Sequence, residues 1–230
     1  MTLRIGTSGY SYKEWKGTFY PEGLKASDML SYYAGKLGTV EINNTFYRLP
    51  TPKLLEGWAS QVPESFRFVL KASQKITHFK RLKGVEEEMG FLVDSARTLG
   101  PRLGAFLVQI PPNLKRDDDR LAAFLGLLPP GMRAAFEVRH PSWLVPEVFS
   151  LLEKHGVALV ASQTDEEPDP EVTRTAPWGY LCLRKTAYQP AELDSWSRRI
   201  AGMGWEEAFI FFKHEQIAPN LAEKFAGMQR

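Results

Sequence analysis

Eight short apolar runs recur along the chain, and helical patterns fill most of the gaps between them. The runs are Leu3–Gly6, Thr39–Ile42, Phe66–Leu70, Leu103–Ile110, Ala134–Val138, Val157–Ala161, Tyr180–Leu183 and Ala208–Phe212. Most are too short for helices and rich in Val, Ile, Leu and Phe, so they read as strands buried on both faces of a parallel sheet. Helices are expected between them. Ser27 is placed to N-cap one over Asp28–Lys36, and Thr51-Pro52 opens another with Leu54, Leu55 and Trp58 on one face. Gly84–Leu99 carries three glutamates in its first turn, and Asp117-Asp118-Asp119 does the same for Arg120–Leu128. Val145–His155, Pro190–Met203 and Asn220–Met228 follow later runs. Only Gln163–Pro177, rich in Asp, Glu and Pro, reads as irregular. Strand then helix, repeated with no linker, predicts a single α/β domain over residues 1–230, a TIM-type (β/α)8 barrel with an irregular connection after strand 6. The competing doubly wound sheet lacks its Gly-rich nucleotide turn, since neither G-x-G-x-x-G nor G-x-x-x-x-G-K-[ST] occurs.

Composition narrows the function classes. The 230 residues carry a net charge of +2, so bulk electrostatics do not favour nucleic acid or a membrane surface. No run approaches the ~18 apolar residues of a membrane span. The start lacks a signal-peptide core, and the single cysteine, Cys182, excludes an intrachain disulfide or a Cys-rich zinc site. A reducing cytoplasm is the expected compartment. The four histidines show no metalloprotease spacing, so no metal and no cofactor is assigned.

In such a barrel, chemistry sits where strands end. Side-chain alternation turns Glu41, Asn43, Lys71, Ser73, Gln109, Glu137 and Arg139 inward, with Arg184 and Lys213 ending the last two strands. Buried charges are costly unless paired or used, so a purely structural barrel would fill these places with apolar side chains. Glu137, Glu41 and Lys71 are the catalytic candidates. Asn43, Tyr47, Gln109, Arg139, His140, Trp143, Arg184, Lys213, Ser8 and Tyr10 are the substrate-binding candidates. Each has a structural alternative. Glu137 and Arg139 can form a plain ion pair, Asn43 an Asx turn, and the aromatic run Tyr10, Tyr12, Trp15, Phe19 and Tyr20 can pack on its own barrel. Arg139 and Lys213 are expected to share a cavity with Glu137. Glu41 and Lys71, on neighbouring strands, are expected to approach within salt-bridge or one-water distance, which would raise the Lys71 pKa and leave Glu137 the better general acid unless Arg139 pairs with it just as closely.

Several segments together resemble one family. Ile5-Gly6-Thr7-Ser8-Gly9-Tyr10 with Tyr12, Trp15, Gly17 and Phe19-Tyr20-Pro21 is similar to the opening of the YecE-like family, domain of unknown function 72. So are Val40-Glu41-Ile42-Asn43 with Thr45-Phe46-Tyr47, Lys71-Ala72 with Ile76-Thr77-His78, Gln109 with Pro111-Pro112, and Glu137 with Arg139-His140 and Ser142-Trp143. The resemblance implies a TIM-type barrel and no particular reaction. Many relatives carry His-Gly after the arginine that matches Arg184, where this chain has Lys185-Thr186. Many carry an Asn pair where it has Lys213-His214-Glu215. The expectation is an enzyme acting on a small anionic or phosphorylated, sugar-like substrate by acid/base chemistry. The alternative is a nucleic-acid-binding or repair-type barrel, suggested by the basic stretch Lys71–Lys83 and the interleaved aromatics.

Overall fold

The structure, a computed structural model, describes residues 1–229. Eight parallel strands close in sequence order into a TIM-type (β/α)8 barrel. Strand β1 (Thr2–Ser8) leads to α1 (Met29–Ala34), and β2 (Thr39–Ile42) to α2 (Asn44–Tyr47) and α3 (Pro52–Ala59). Then come β3 (Arg67–Lys71), α4 (Glu86–Ala96), β4 (Leu103–Gln109), α5 (Asp118–Leu125), β5 (Ala134–Glu137) and α6 (Pro146–Lys154). The chain ends with β6 (Ala158–Gln163), β7 (Trp178–Leu183), α7 (Pro190–Ala201), β8 (Glu207–Phe212) and α8 (Ala218–Gly227). No helix lies between β6 and β7, as the composition of that segment predicts. Thr175 holds the connection against β6: its hydroxyl donates to the Val157 carbonyl (2.7 Å) and accepts from the Leu159 amide (2.8 Å).

Two apolar layers follow from strand alternation. Outward residues such as Val40, Leu70, Val108, Phe136 and Ile210 pack beneath the helices. Inward residues form a separate cluster that fills the lumen. There Ala105, Ala135 and Ala158 from β4, β5 and β6 share the space with Trp178, Tyr180, Phe209 and Phe211 from β7 and β8. Small side chains on one wall make room for large rings from the other, so the lumen is packed rather than open.

Side-chain caps set the start of some helices. Thr51 accepts from the Leu54 amide, and Asp117 from the Arg120 amide, at the N-termini of α3 and α5. Ser27 does not cap. Its hydroxyl donates to Asp28 Oδ1 (2.9 Å), a short 3-10 turn occupies Ala26–Asp28, and α1 begins only at Met29. Leu54 also departs from expectation. It is exposed, and α3 buries Leu55 and Trp58 without it. The aromatic run after β1 packs on itself and on the barrel. Trp15, Phe19 and Tyr20 are buried, Tyr33 receives Phe19 edge-on, and the Trp15 indole donates to the Glu215 carbonyl (2.9 Å), tying the first loop to the last.

On β1, Gly6 pairs with Thr39 of β2 with no space for a side chain between them. A methyl group on Gly6 would lie 2.0 Å from the Thr39 carbonyl oxygen. Gly6→Ala is therefore expected to cost at least the ~1–3 kcal/mol typical of an overpacked core, because backbone must yield. The urea unfolding midpoint measures this, and an unchanged midpoint would show that the strands have room to part.

Candidate active site at the barrel mouth

The register of the strands brings the polar ends together. Ser8 pairs with Glu41 across β1 and β2, and Gln109 with Glu137 across β4 and β5. Two carboxylates result, both buried, with different surroundings. Glu41 is held by hydroxyls. Ser8 Oγ donates to its Oε1, and Tyr180 reaches from β7 to donate to its Oε2. Asn43 Nδ2 donates in turn to Ser8 Oγ (2.8 Å). Glu137 is held by cations. Its Oε1 accepts from Arg184 Nη2 (2.7 Å) and from Arg139 Nε (3.1 Å) and Nη2 (3.0 Å), while Gln109 Nε2 donates to Oε2 (2.7 Å).

Lys71 joins the second group through an amide. Its ammonium donates to Gln109 Oε1 (2.9 Å) and lies 4.6 Å from the centre of the Phe46 ring. It makes no direct ion pair with Glu41 among the described residues, although the Glu41 charge acts on it, so of the expected salt-bridge or one-water approach the direct contact is absent. The hydroxyls of Ser8 and Tyr180 occupy Glu41, and the Gln109 carbonyl takes the ammonium. The Lys71 pKa moves the opposite way from expectation. Burial lowers it, and the charges of Lys213 and Arg184 add to that against the opposing pull of Glu41 and Glu137. Burial alone would raise the Glu137 pKa, but Arg184, Arg139 and Gln109 hold it below the ordinary carboxylate range. Glu137 is thus a fixed anion and a poor proton donor near neutral pH. Arg139 pairs with Glu137, which is the condition under which its expected advantage as a general acid lapses. Cys182, between Tyr180 and Arg184 on the inward face, accepts from Arg184 Nε (3.0 Å), and burial pushes its thiol up to about 11, so it is no thiolate nucleophile.

A family model described as a protein of unknown function, DUF72, matches residues 4–230. The chain belongs to the DUF72 family. It is 32% identical over 142 residues to UPF0759 protein YecE of Escherichia coli K12, a match covering 61% of this chain and 50% of YecE, so the matched part is half of that relative's length. UPF0759 protein YunF of Bacillus subtilis is 24% identical over 233 residues, 93% of this chain and 79% of YunF. The crystal structure of a DUF72 protein from Thermotoga maritima superposes with a TM-score of 0.87 at 26% identity, over 100% of this chain and 99% of that one. One from Enterococcus faecalis gives 0.78 at 21% identity, over 99% and 94%, a likeness of fold.

In this DUF72 chain the mouth gathers Ser8, Glu41, Asn43, Lys71, Gln109, Glu137, Arg139 and Arg184 into two hydrogen-bonded groups. Lys213 stands exposed at the end of β8, with its charge acting on Lys71. Four other candidates lie outside these groups. Trp143 is fully buried, packs on Phe136 and donates to the Leu114 carbonyl (2.8 Å), so it is core rather than substrate contact. His140 is corrected likewise: its Nδ1 accepts from the Ser142 amide (3.2 Å) and caps the turn over Pro141–Trp143. The Tyr10 ring lies against Tyr33 in the aromatic cluster, and Tyr47 is 71% exposed with its ring edge-on to Phe46. Of the residues departing from the family pattern, Lys213 stays at the mouth, whereas Lys185 and His214 are engaged elsewhere. Lys185 pairs with Glu192 of α7 (2.9 Å), and His214 Nδ1 accepts the Gln216 and Ile217 amides before α8.

Sequence reasoning missed Tyr180, Cys182 and Phe46. Counting back by twos from Arg184 would have exposed the first two on the inward face. Phe46 leaves no such signal, since only the loop's path sets it under Lys71.

Glu137→Gln is expected to destabilise the fold by about 3–5 kcal/mol at neutral pH, the range for breaking a buried ion pair. A carboxylate whose folded pKa is depressed contributes stability above its unfolded pKa, ~4.3 for Glu, and loses it as pH falls through the folded value. The gap between wild type and variant should therefore narrow below about pH 4. Urea unfolding at a series of pH values reads it, and a gap constant with pH would contradict the assignment.

Proposed function

We propose that this chain is an enzyme whose barrel mouth binds a small anionic substrate, phosphorylated or carboxylated and sugar-like in size, and moves protons on it. The observation that supports this most directly is Lys71. It is a half-buried cation with no carboxylate within 4.0 Å among the described residues, beside Arg184, Arg139 and Lys213. Glu137 already serves two guanidiniums, so an incoming anion is the group that would complete the charge balance. Lys71 and Lys213 are assigned to the substrate's negative charge, with Arg139 and Arg184 held in place by Glu137. Glu41, supported by Ser8 and Tyr180 and without a guanidinium partner, is assigned proton transfer. The lowered pKa of Lys71 gives it a larger neutral fraction than an exposed lysine, so it too can accept a proton.

A thermal-shift screen of phosphorylated sugars and sugar acids tests the reading. A ligand that raises the wild-type melting temperature should bind Lys71→Met at least tenfold more weakly. Glu41→Gln should keep binding and lose turnover by ~10²–10⁴-fold. Equal affinity of wild type and Lys71→Met for every hit would defeat it. The second reading, a nucleic-acid-binding barrel, draws on the exposed rings of Tyr47 in α2 and Phe79 in the helical turn after β3, each 71% accessible. Against it, Lys75 and Lys80 of the basic stretch are both engaged by Glu88 (2.7 and 2.8 Å). A steep salt dependence of single-stranded DNA or RNA binding would favour that reading, since a small-molecule enzyme shows none.

A further inference from the structure

The end of the barrel opposite the mouth holds an excess of arginine. Arg4 on β1, Arg67 at the start of β3 and Arg133 just before β5 converge near Glu207 at the start of β8. Glu207 receives Arg4 Nε (2.7 Å) and, at close range, Arg133 Nη1. One carboxylate thus serves two guanidiniums. Arg67 has no share in it. Its Nη1 donates only to the Glu64 and Phe66 carbonyls (2.8 and 3.1 Å), and it forms no ion pair among the described residues. Burial lowers its pKa, and the charges of Arg4 and Arg133 add to that against the opposing pull of Glu207 and Glu64, so the three cations and Glu207 act on one another.

Arg67, Arg133 and Glu207 open on a cleft of about 490 Å³, lined also by Arg97, by Gly100 and Gly131, and by the apolar Leu103 and Met132. Gly100 and Gly131 both stand at positive φ with open space where a side chain would be, so a ligand can approach the main chain there. Arg97 is already paired with Asp94 (2.9 Å), so the uncompensated charge belongs to the inner three arginines. The Arg133 guanidinium sits 5.6 Å from the centre of the Trp178 ring, which closes the lumen behind it. Partly desolvated guanidiniums in excess over carboxylate are costly. A dianion removes that cost, and a phosphoryl group offers the oxygens that guanidinium forks match in pairs.

We propose that this cleft is a second oxyanion site, distinct from the mouth, that takes the phosphoryl group of a small ligand between Arg67 and Arg133. The proposal does not depend on the role assigned to the mouth. Calorimetric titration with inorganic phosphate, pyrophosphate and a phosphate monoester such as glucose 6-phosphate tests it, using wild type, Arg67→Gln, Arg67→Lys and the mouth variant Arg139→Gln. Saturable binding is expected in wild type and in Arg139→Gln, with affinity reduced at least tenfold in Arg67→Gln. Arg67→Lys, which keeps the charge and loses the fork, should also bind more weakly and guards against an unfolded glutamine variant. Equal affinity for phosphate and the ester would assign recognition to the oxyanion alone, whereas a preference for the ester would mean that the cleft also reads the carrier. Either supports the site. No binding at millimolar concentrations of all three probes, or binding unchanged in both Arg67 variants, would overturn it. Binding lost only in Arg139→Gln would place the anion at the mouth and equally overturn it.

Discussion

The top of this barrel depends on ion pairing across the lumen. Glu137 ends β5, and its principal partner, Arg184, lies just past β7, so the contact reaches over the strand between them. Tyr180 likewise crosses from β7 to Glu41 on β2. Neither link is between hydrogen-bonded neighbours in the sheet. They join non-adjacent strands above the apolar filling of the lumen, where a carboxylate without partners would cost several kcal/mol. The same bonds that remove that cost fix the orientation of the polar side chains. Rigidity and preorganisation therefore have one source.

The two glutamates show how environment separates identical groups. Glu137 sees two guanidiniums and an amide, while Glu41 sees two hydroxyls. The first arrangement holds a negative charge in place. The second surrounds the carboxylate with two neutral hydroxyl donors and no cation, Ser8 itself being held by the Asn43 amide. Gln109 extends the first environment, donating to Glu137 and accepting from Lys71, so the position of the lysine follows that of the carboxylate.

The opposite end of the barrel is built differently. Its charges come from residues that begin strands, and they cluster around one carboxylate rather than filling the lumen. Trp178 and Phe209 separate them from the mouth. The two ends are thus electrostatically positive for independent reasons, although the whole chain is nearly neutral at +2. Sequence-wide charge hides this because the acidic residues lie mainly elsewhere, in first turns such as Glu86–Glu88 and Asp117–Asp119 and in the β6–β7 connection.

The fold was legible because it rests on local patterns. Apolar runs of strand length, Pro or Asp at helix starts and period-two alternation are set by residues adjacent in sequence, and they placed the strands, most helices and the inward ring. The irregular β6–β7 segment was legible in the same way. Partner choice was not. Lys71 and Glu41 lie on neighbouring strands and were expected to meet, yet distance along the barrel wall did not decide the contact. It was decided by Tyr180 arriving across the lumen and Gln109 from the other side. Trp143 and His140 were drawn into the site by their nearness to Glu137 in sequence. The turn after β5 carries one into the core and uses the other as a cap. Sequence by itself determined which side chains face the lumen, because alternation is a property of the backbone. Only the tertiary structure decided which of them touch, because those contacts join strands far apart in the chain, and the cost of burying charge chooses among the partners that closure brings within reach.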